Sequence, residues 1–187
     1  MKIKPTATVS DLDDTVTGFT KLVLELHNKT SKDHVTTDQL INYDYPISMF
    51  DTFKSFESHG LYSALDILPY ALDAITHLKT IKKQEIIFLT ARKEIYGHET
   101  YLWLLKHNVP FTQLIFSKDK VGEIRKLQRK YHISLFVDDK AENVIDVFER
   151  CNVDTCCIVD QTHNRNLELD PDIKRVYNLL EILKYAK

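Results

Sequence analysis

Beyond residue 68 the apolar positions fall into two alternating rhythms. Pro69 opens a stretch in which Leu72, Ile75, Leu78 and Ile81 recur at helical spacing, and proline suits a first helical turn. Glu85-Ile-Ile-Phe-Leu-Thr90 follows, a short apolar run of the kind shown by a strand buried on both faces. The pattern then repeats: a helix over 97–107 stopped by Pro110, a strand at 114–116, a charged helix over 119–132, a strand at 133–138, a helix over 141–151 and a strand at 155–159. An amphipathic helix over 175–185 closes it. Strands alternating with helices of this length predict right-handed βαβ crossovers and a parallel sheet.

The first third of the chain reads differently. Residues 6–13 are strand-like, with Ala7, Val9 and Leu12 set among β-branched threonines. From 16 to 67 the pattern is helical, with turn-like breaks at 28–33 and 43–46. Seven aromatics (Phe19, Tyr43, Tyr45, Phe50, Phe53, Phe56, Tyr62) lie there, and no run has the buried character of 85–90. The expected architecture is α/β: a Rossmann-like three-layer parallel sheet made by residues 1–15 and 68–187, with a small helical segment, 16–67, inserted after the first strand.

Composition narrows the chemistry. With 187 residues the chain is long enough for one domain with its own core. A formal charge of −2 gives no basic field for a nucleic-acid coat or membrane surface. The four glycines, Gly18, Gly60, Gly97 and Gly122, are isolated, so no phosphate loop, dinucleotide turn or nucleophile elbow can be written from them. Cys151, Cys156 and Cys157 form no CxxC pair, and they are expected to be reduced thiols in a cytoplasmic protein. Nothing approaches the apolar length of a membrane span or signal peptide. The histidines lack metal-site spacing; His98 and His163 lie in loops or helix starts able to face a site, and a surface position is the preferred reading for each.

The carboxylates carry the signal. In open α/β sheets, ligands bind beyond the carboxyl ends of the strands. The first strand ends in Asp11-Leu-Asp13-Asp14-Thr15, the second in Thr90, the third in Ser117-Lys118-Asp119-Lys120, and the fourth in Asp138-Asp139. Acidic groups from two strands, a hydroxyl and a lysine at one sheet edge suit metal-assisted phosphoryl transfer. The carboxylates can hold Mg²⁺, a hard cation that prefers oxygen ligands. One carboxylate can attack phosphorus, and another can protonate the leaving oxygen.

Asp11-x-Asp13-x-Thr15, Thr90 after an apolar strand, a following lysine, and Val137-Asp138-Asp139 resemble the four motifs of the haloacid dehalogenase superfamily. The placement of 16–67 between the first two motifs resembles that superfamily's helical cap. Leu89-Thr90-Ala91-Arg92, Thr100-Tyr-Leu-Trp103-Leu, Asn108-Val-Pro-Phe and Asp119-Lys120 are similar to the 5′(3′)-deoxyribonucleotidase-like group, as is the tail Asn164-Arg165 … Arg175-Val176 … Glu181-Ile182. The resemblance implies a Mg²⁺-dependent phosphomonoesterase acting on nucleoside monophosphates. Asp11 would be nucleophile and metal ligand, and Asp13 the acid/base that also gives its backbone carbonyl to the metal. Asp138 would be the third ligand, with Asp139 and Thr15 behind it, and Thr90 and Lys120 would bind phosphate. Phe19 would lie against the base.

Lys118 competes with Lys120, and the preceding aspartate favours the latter. Arg92 has two readings, contact with a substrate phosphate or sugar and pairing with Glu94. Asp14 stands where many relatives carry glycine. The other aromatics of 16–67 read as packing. Thr100–Phe111 is also similar to the phosphatase part of polynucleotide kinases, so 3′-phosphatase action on nucleic-acid ends is the second reading. The mixed charge of 16–67 argues against a strand-binding groove. A non-catalytic Mg²⁺-binding scaffold is the third. A homodimer is compatible with the sequence.

Overall fold

The structure, a computed structural model, describes residues 3–40 and 45–186. Six strands form one all-parallel sheet in the order β3-β2-β1-β4-β5-β6: β1 (Thr6–Ser10), β2 (Glu85–Thr90), β3 (Gln113–Phe116), β4 (His132–Asp138), β5 (Thr155–Val159) and β6 (Lys174–Val176). The apolar runs of the strands alternate between two cores. Ile86, Phe88, Leu135, Val137, Cys157 and Val159 enter one, while Ile87, Leu89, Phe136, Cys156 and Ile158 enter the other. This two-sided burial is why the strands read as continuous apolar runs.

Helices α3 (Ala71–Thr80) and α4 (Gly97–Lys106) cover the first face through Ala74, Ile75, Leu78, Trp103 and Leu104. Helices α5 (Lys120–Leu127) and α6 (Ala141–Arg150) cover the second through Val121, Ile124, Val144 and Val147. The chain builds outward from β1 to β3, then returns to place β4 on the other side of β1. Right-handed crossovers in opposite directions put the two helix pairs on opposite faces. The reversal lies between β1 and β4, whose carboxyl ends are adjacent.

Two expectations need correction. The charged helix ends at Leu127, not 132, and the chain leaves it through tight turns from Arg129 N–H to the Lys126 carbonyl and from Lys130 N–H to the Leu127 carbonyl. The region 175–185 is not one α-helix. Residues 174–176 pair with β5, and Asn178 then accepts the Leu180 N–H at 3.0 Å to start a 3₁₀ helix, Leu179–Lys184. Leu179 and Ile182, three residues apart, are buried on one side of that helix. A period of three belongs to the 3₁₀ form, and over two turns it is indistinguishable from an amphipathic α pattern.

Between β1 and α3, the described residues form α1 (Phe19–Thr30), a 3₁₀ turn (Thr37–Gln39), α2 (Met49–Ser58) and a second 3₁₀ turn (Leu61–Ala64). In the last turn of α1, Asn28 makes a paired contact with the Val35 backbone, donating to its carbonyl at 2.8 Å and accepting its N–H at 2.9 Å. Tyr43 and Asp44, the first half of the turn expected at 43–46, lie outside the described residues. The two passages joining this segment to the sheet run side by side: Gly18 N–H meets the Asp66 carbonyl at 3.0 Å, and Leu68 N–H meets the Val16 carbonyl at 2.8 Å. Among the described residues, no helix is long and apolar enough to cross a membrane.

Trp103, 1% exposed, donates its indole N–H to the Leu65 carbonyl at 2.7 Å and so ties α4 to the end of the inserted segment. Trp103→Phe leaves that buried carbonyl without its donor and opens a small void. It is expected to cost about 1–3 kcal/mol in urea denaturation. An unchanged midpoint would show that this tie is not structural.

Candidate active site

The β1–β4 edge carries a cavity of about 320 Å³. Its floor holds Asp11, Asp13, Thr90, Asp138 and Asp139, and its roof holds Phe19, Tyr45, Phe53 and Tyr62 from the inserted segment. Asp11 continues the β1 ladder, its N–H reaching the Val137 carbonyl at 2.8 Å, which sets it beside the end of β4. Carboxylate oxygens of Asp11, Asp138 and Asp139, all buried, lie within 4.8 Å of one another.

Lys120 stands among them. Its Nζ is 2.5 Å from Asp11 and 3.6 Å from Asp138, it also donates to the Leu89 carbonyl, and its side chain is 3% exposed. Asp119 caps α5 by accepting the Gly122 N–H at 2.8 Å, which fixes Lys120 at the first helical position. Lys118 is exposed and lies at the cavity rim. The lysine that follows the aspartate is thus the one that meets Asp11 and Asp138.

Asp138 accepts the Lys140 backbone N–H at 2.8 Å and the Asn143 amide at 3.0 Å. The Thr15 hydroxyl donates to Asp139 at 3.2 Å. His163 is buried, contrary to the surface reading, and its Nε2 lies 2.9 Å from Asp139. The reason is Asn164, whose amide donates to the carbonyls of Asp139 and Val159 at 2.7 and 2.8 Å and folds the loop inward. No spacing pattern marked Asn143 or His163 in the sequence.

Asp14 occupies the left-handed region at φ 54, which aspartate tolerates better than most side chains. Gly18, at the start of α1, offers no side-chain cap. Asp14 supplies one from a distance, accepting the Thr20 N–H at 2.8 Å and the Thr20 hydroxyl at 2.5 Å. Arg92 does not meet Glu94. Its Nε and Nη2 donate to Asp13 at 2.9 and 2.5 Å, and Nη1 donates to Thr100 at 3.1 Å. Phe19 stacks with Phe53 at 6.1 Å, and Tyr45 meets Phe53 edge-on at 4.9 Å. Tyr45, Phe53 and Tyr62, read from sequence as packing, also line the cavity beside Phe19.

Burial dominates the electrostatics. It raises the Asp11 pKa to about 6 against the lowering pull of Lys120, with Asp139 and Asp13 adding repulsion. Burial and then Asp11 push Asp138 well above the usual carboxylate range, and burial and then Asp139 do the same to Asp14. Groups raised on folding stabilise the protein fully below their unfolded pKa and lose that contribution as pH rises through the folded value. In chelator, the Asp11 contribution to the melting temperature is therefore expected to be lost as pH rises from about 4 to about 6, and the raised Asp138 and Asp14 extend the fall to higher pH. Mg²⁺ is expected to raise the melting temperature more at the upper end, where the carboxylates are ionised and able to bind. Equal Mg²⁺ effects at both ends would contradict an ion held by these groups.

No known family model matches the chain. In sequence it is similar to a protein described as "putative nucleotidase" from Oceanobacillus iheyensis, 23% identical over 168 residues that span 83% of this chain and 87% of that one. In structure it is similar to a haloacid dehalogenase-like family hydrolase from Streptococcus pneumoniae, with a TM-score of 0.67, 13% identity and coverage of 98% of this chain and 99% of that one. It is also similar to a Bacillus subtilis protein described as a "putative HAD-hydrolase" bound to magnesium, with a TM-score of 0.62, 16% identity and 98% coverage of each chain. The parallel sheet, its strand order and these neighbours identify the fold of this chain as haloacid dehalogenase-like.

Proposed function

We propose that the chain is a Mg²⁺-dependent phosphomonoesterase that hydrolyses nucleoside monophosphates through an aspartyl-phosphate on Asp11. The observation that carries this reading is the meeting of Asp11, Asp13, Thr90 and Asp138 on one cavity floor, with Lys120 inserted behind Asp11 and Asp138. The oxygen-only donor set suits a hard cation: the carboxylates of Asp11 and Asp138 and the backbone carbonyl of Asp13 would hold Mg²⁺. Asp139, bonded to Thr15, would support them from behind. The bound cation offsets repulsion between a phosphate dianion and an anionic nucleophile.

Asp11 attacks phosphorus, the bond from phosphorus to the ester oxygen breaks, and Asp13 delivers a proton to the departing alkoxide. Asp13 then takes a proton from water as that water attacks the aspartyl-phosphate, releasing inorganic phosphate and restoring Asp11. Lys120 and the Thr90 hydroxyl stabilise charge on the phosphoryl oxygens. The inserted segment acts as a cap, and its aromatic roof, with Phe19 foremost, offers a planar surface for a nucleobase.

Lys93 and Lys140 at the cavity are engaged by Glu57 at 2.5 Å and Glu142 at 2.9 Å, and Arg92 is engaged by Asp13. Lys118 is the remaining rim cation among the described residues, and one such charge makes no basic groove, so the rim favours a compact substrate over a nucleic-acid strand. The nucleotidase description of the Oceanobacillus iheyensis protein and the magnesium of the Bacillus subtilis one support the same reading.

Purified protein is to be assayed on 5′- and 3′-ribo- and deoxyribonucleoside monophosphates, sugar phosphates and a 3′-phosphorylated oligonucleotide, with Mg²⁺ and with chelator. Mononucleotides are expected to release phosphate only with Mg²⁺, and Asp11→Asn to lose about a thousandfold or more in kcat. Release from the oligonucleotide alone would favour the end-processing reading. Release from nothing by a folded, Mg²⁺-binding protein would leave a scaffold.

A further inference from the structure

Asp13 does not hold its own orientation. Its two carboxylate oxygens are gripped by the Nε–H and Nη2–H of Arg92, a planar fork whose third bond runs to the Thr100 hydroxyl, while the Thr17 hydroxyl adds a single bond to Oδ1 at 3.0 Å. The Arg92 side chain is 1% exposed against 24% for Asp13, so the fork is held from the protein side while the carboxylate faces the cavity. The open face of its guanidinium is covered by the ring of Tyr62, 4.4 Å from Arg92 Cζ to the ring centroid. That contact is a cation–π arrangement of the kind strengthened by desolvation.

Tyr62 belongs to the inserted segment, in the 3₁₀ turn after α2, whereas Arg92 and Asp13 belong to the sheet edge. The ring is itself fixed, edge-on to Phe56 at 5.0 Å, stacked on Phe19 at 6.4 Å and tilted against Tyr96 at 5.0 Å. A chain of contacts thus runs from the roof of the cavity to the carboxylate proposed as acid/base.

The geometry points to Tyr62 and Arg92 as positioning residues: Tyr62, packed on the Arg92 guanidinium, holds the fork that aims the Asp13 carboxylate. The inference rests on the role proposed for Asp13. Under it, the inserted segment contributes to proton delivery and not only to substrate enclosure. A fork-shaped cation is needed, because lysine can neutralise Asp13 but cannot fix the plane of its carboxylate.

The test exploits the leaving group. A nucleoside alkoxide needs a proton as it departs, whereas p-nitrophenolate does not. Single-turnover rates of alcohol release are to be compared for a nucleoside monophosphate and p-nitrophenyl phosphate in wild type, Tyr62→Leu, Tyr62→Phe and Arg92→Lys. Tyr62→Leu and Arg92→Lys are expected to slow nucleoside release by about tenfold to a hundredfold and p-nitrophenolate release far less. Tyr62→Phe, which keeps the ring face, is expected to lose less than Tyr62→Leu. Equal losses on both esters, or none, would overturn the inference.

A second arm needs no turnover. The Arg92 Nε–H, followed by NMR, is expected to exchange slowly with solvent in wild type and faster in Tyr62→Leu. Unchanged protection in Tyr62→Leu would overturn the positioning role. If wild type cleaves neither ester, the proposed activity fails while the exchange measurement still decides whether Tyr62 holds the fork.

Discussion

Three carboxylates buried within a few ångströms repel one another, and much of this molecule is arranged around that fact. Asp11, Asp138 and Asp139 cannot share so small a volume cheaply, which is why burial and mutual charge raise Asp11 and Asp138. Lys120 supplies one buried positive charge, held by the Asp119 cap and the Leu89 carbonyl. Asn143, Thr15 and the Lys140 N–H add donors to Asp138 and Asp139. One cation among three carboxylates leaves the cavity floor rich in oxygen donors, a set that suits a divalent ion.

The parallel sheet makes the cluster possible. Because β1 and β4 are neighbours at the point where strand order reverses, two separate stretches of chain end side by side with their carboxylates facing one space. The inserted segment then meets that edge at several places. Asp14 caps α1, Trp103 holds Leu65, Lys93 meets Glu57, and Tyr62 lies on Arg92. The roof and the floor are one hydrogen-bonded and packed unit at this edge.

Much of this was legible in the chain. The strands of the core announced themselves because apolar residues on both faces produce unbroken runs such as Ile86–Leu89. Thr90 and Asp138 stand out because each ends such a run, and Asp11 and Asp13 because they follow the alternating stretch Thr6–Ser10. What escaped was what local pattern does not carry. Strand β6 has three residues and only Val176 buried, and Leu179 and Ile182 mimic α spacing. Arg92 reaches Asp13 across 79 positions, a pairing set by strand order and not by any motif. His163 is buried by the side-chain bonds of Asn164, and Tyr62 reaches the cavity through the packing of a segment with no repeat to align it.

The proposed reaction requires that Asp11 become covalently phosphorylated. Acid-quenching the protein during turnover of a mononucleotide with Mg²⁺, reducing the acyl-phosphate with borohydride and mapping the product by mass spectrometry tests it directly. Homoserine is expected at position 11 and nowhere else. Modification of another residue, or an unmodified chain throughout steady turnover, would contradict it.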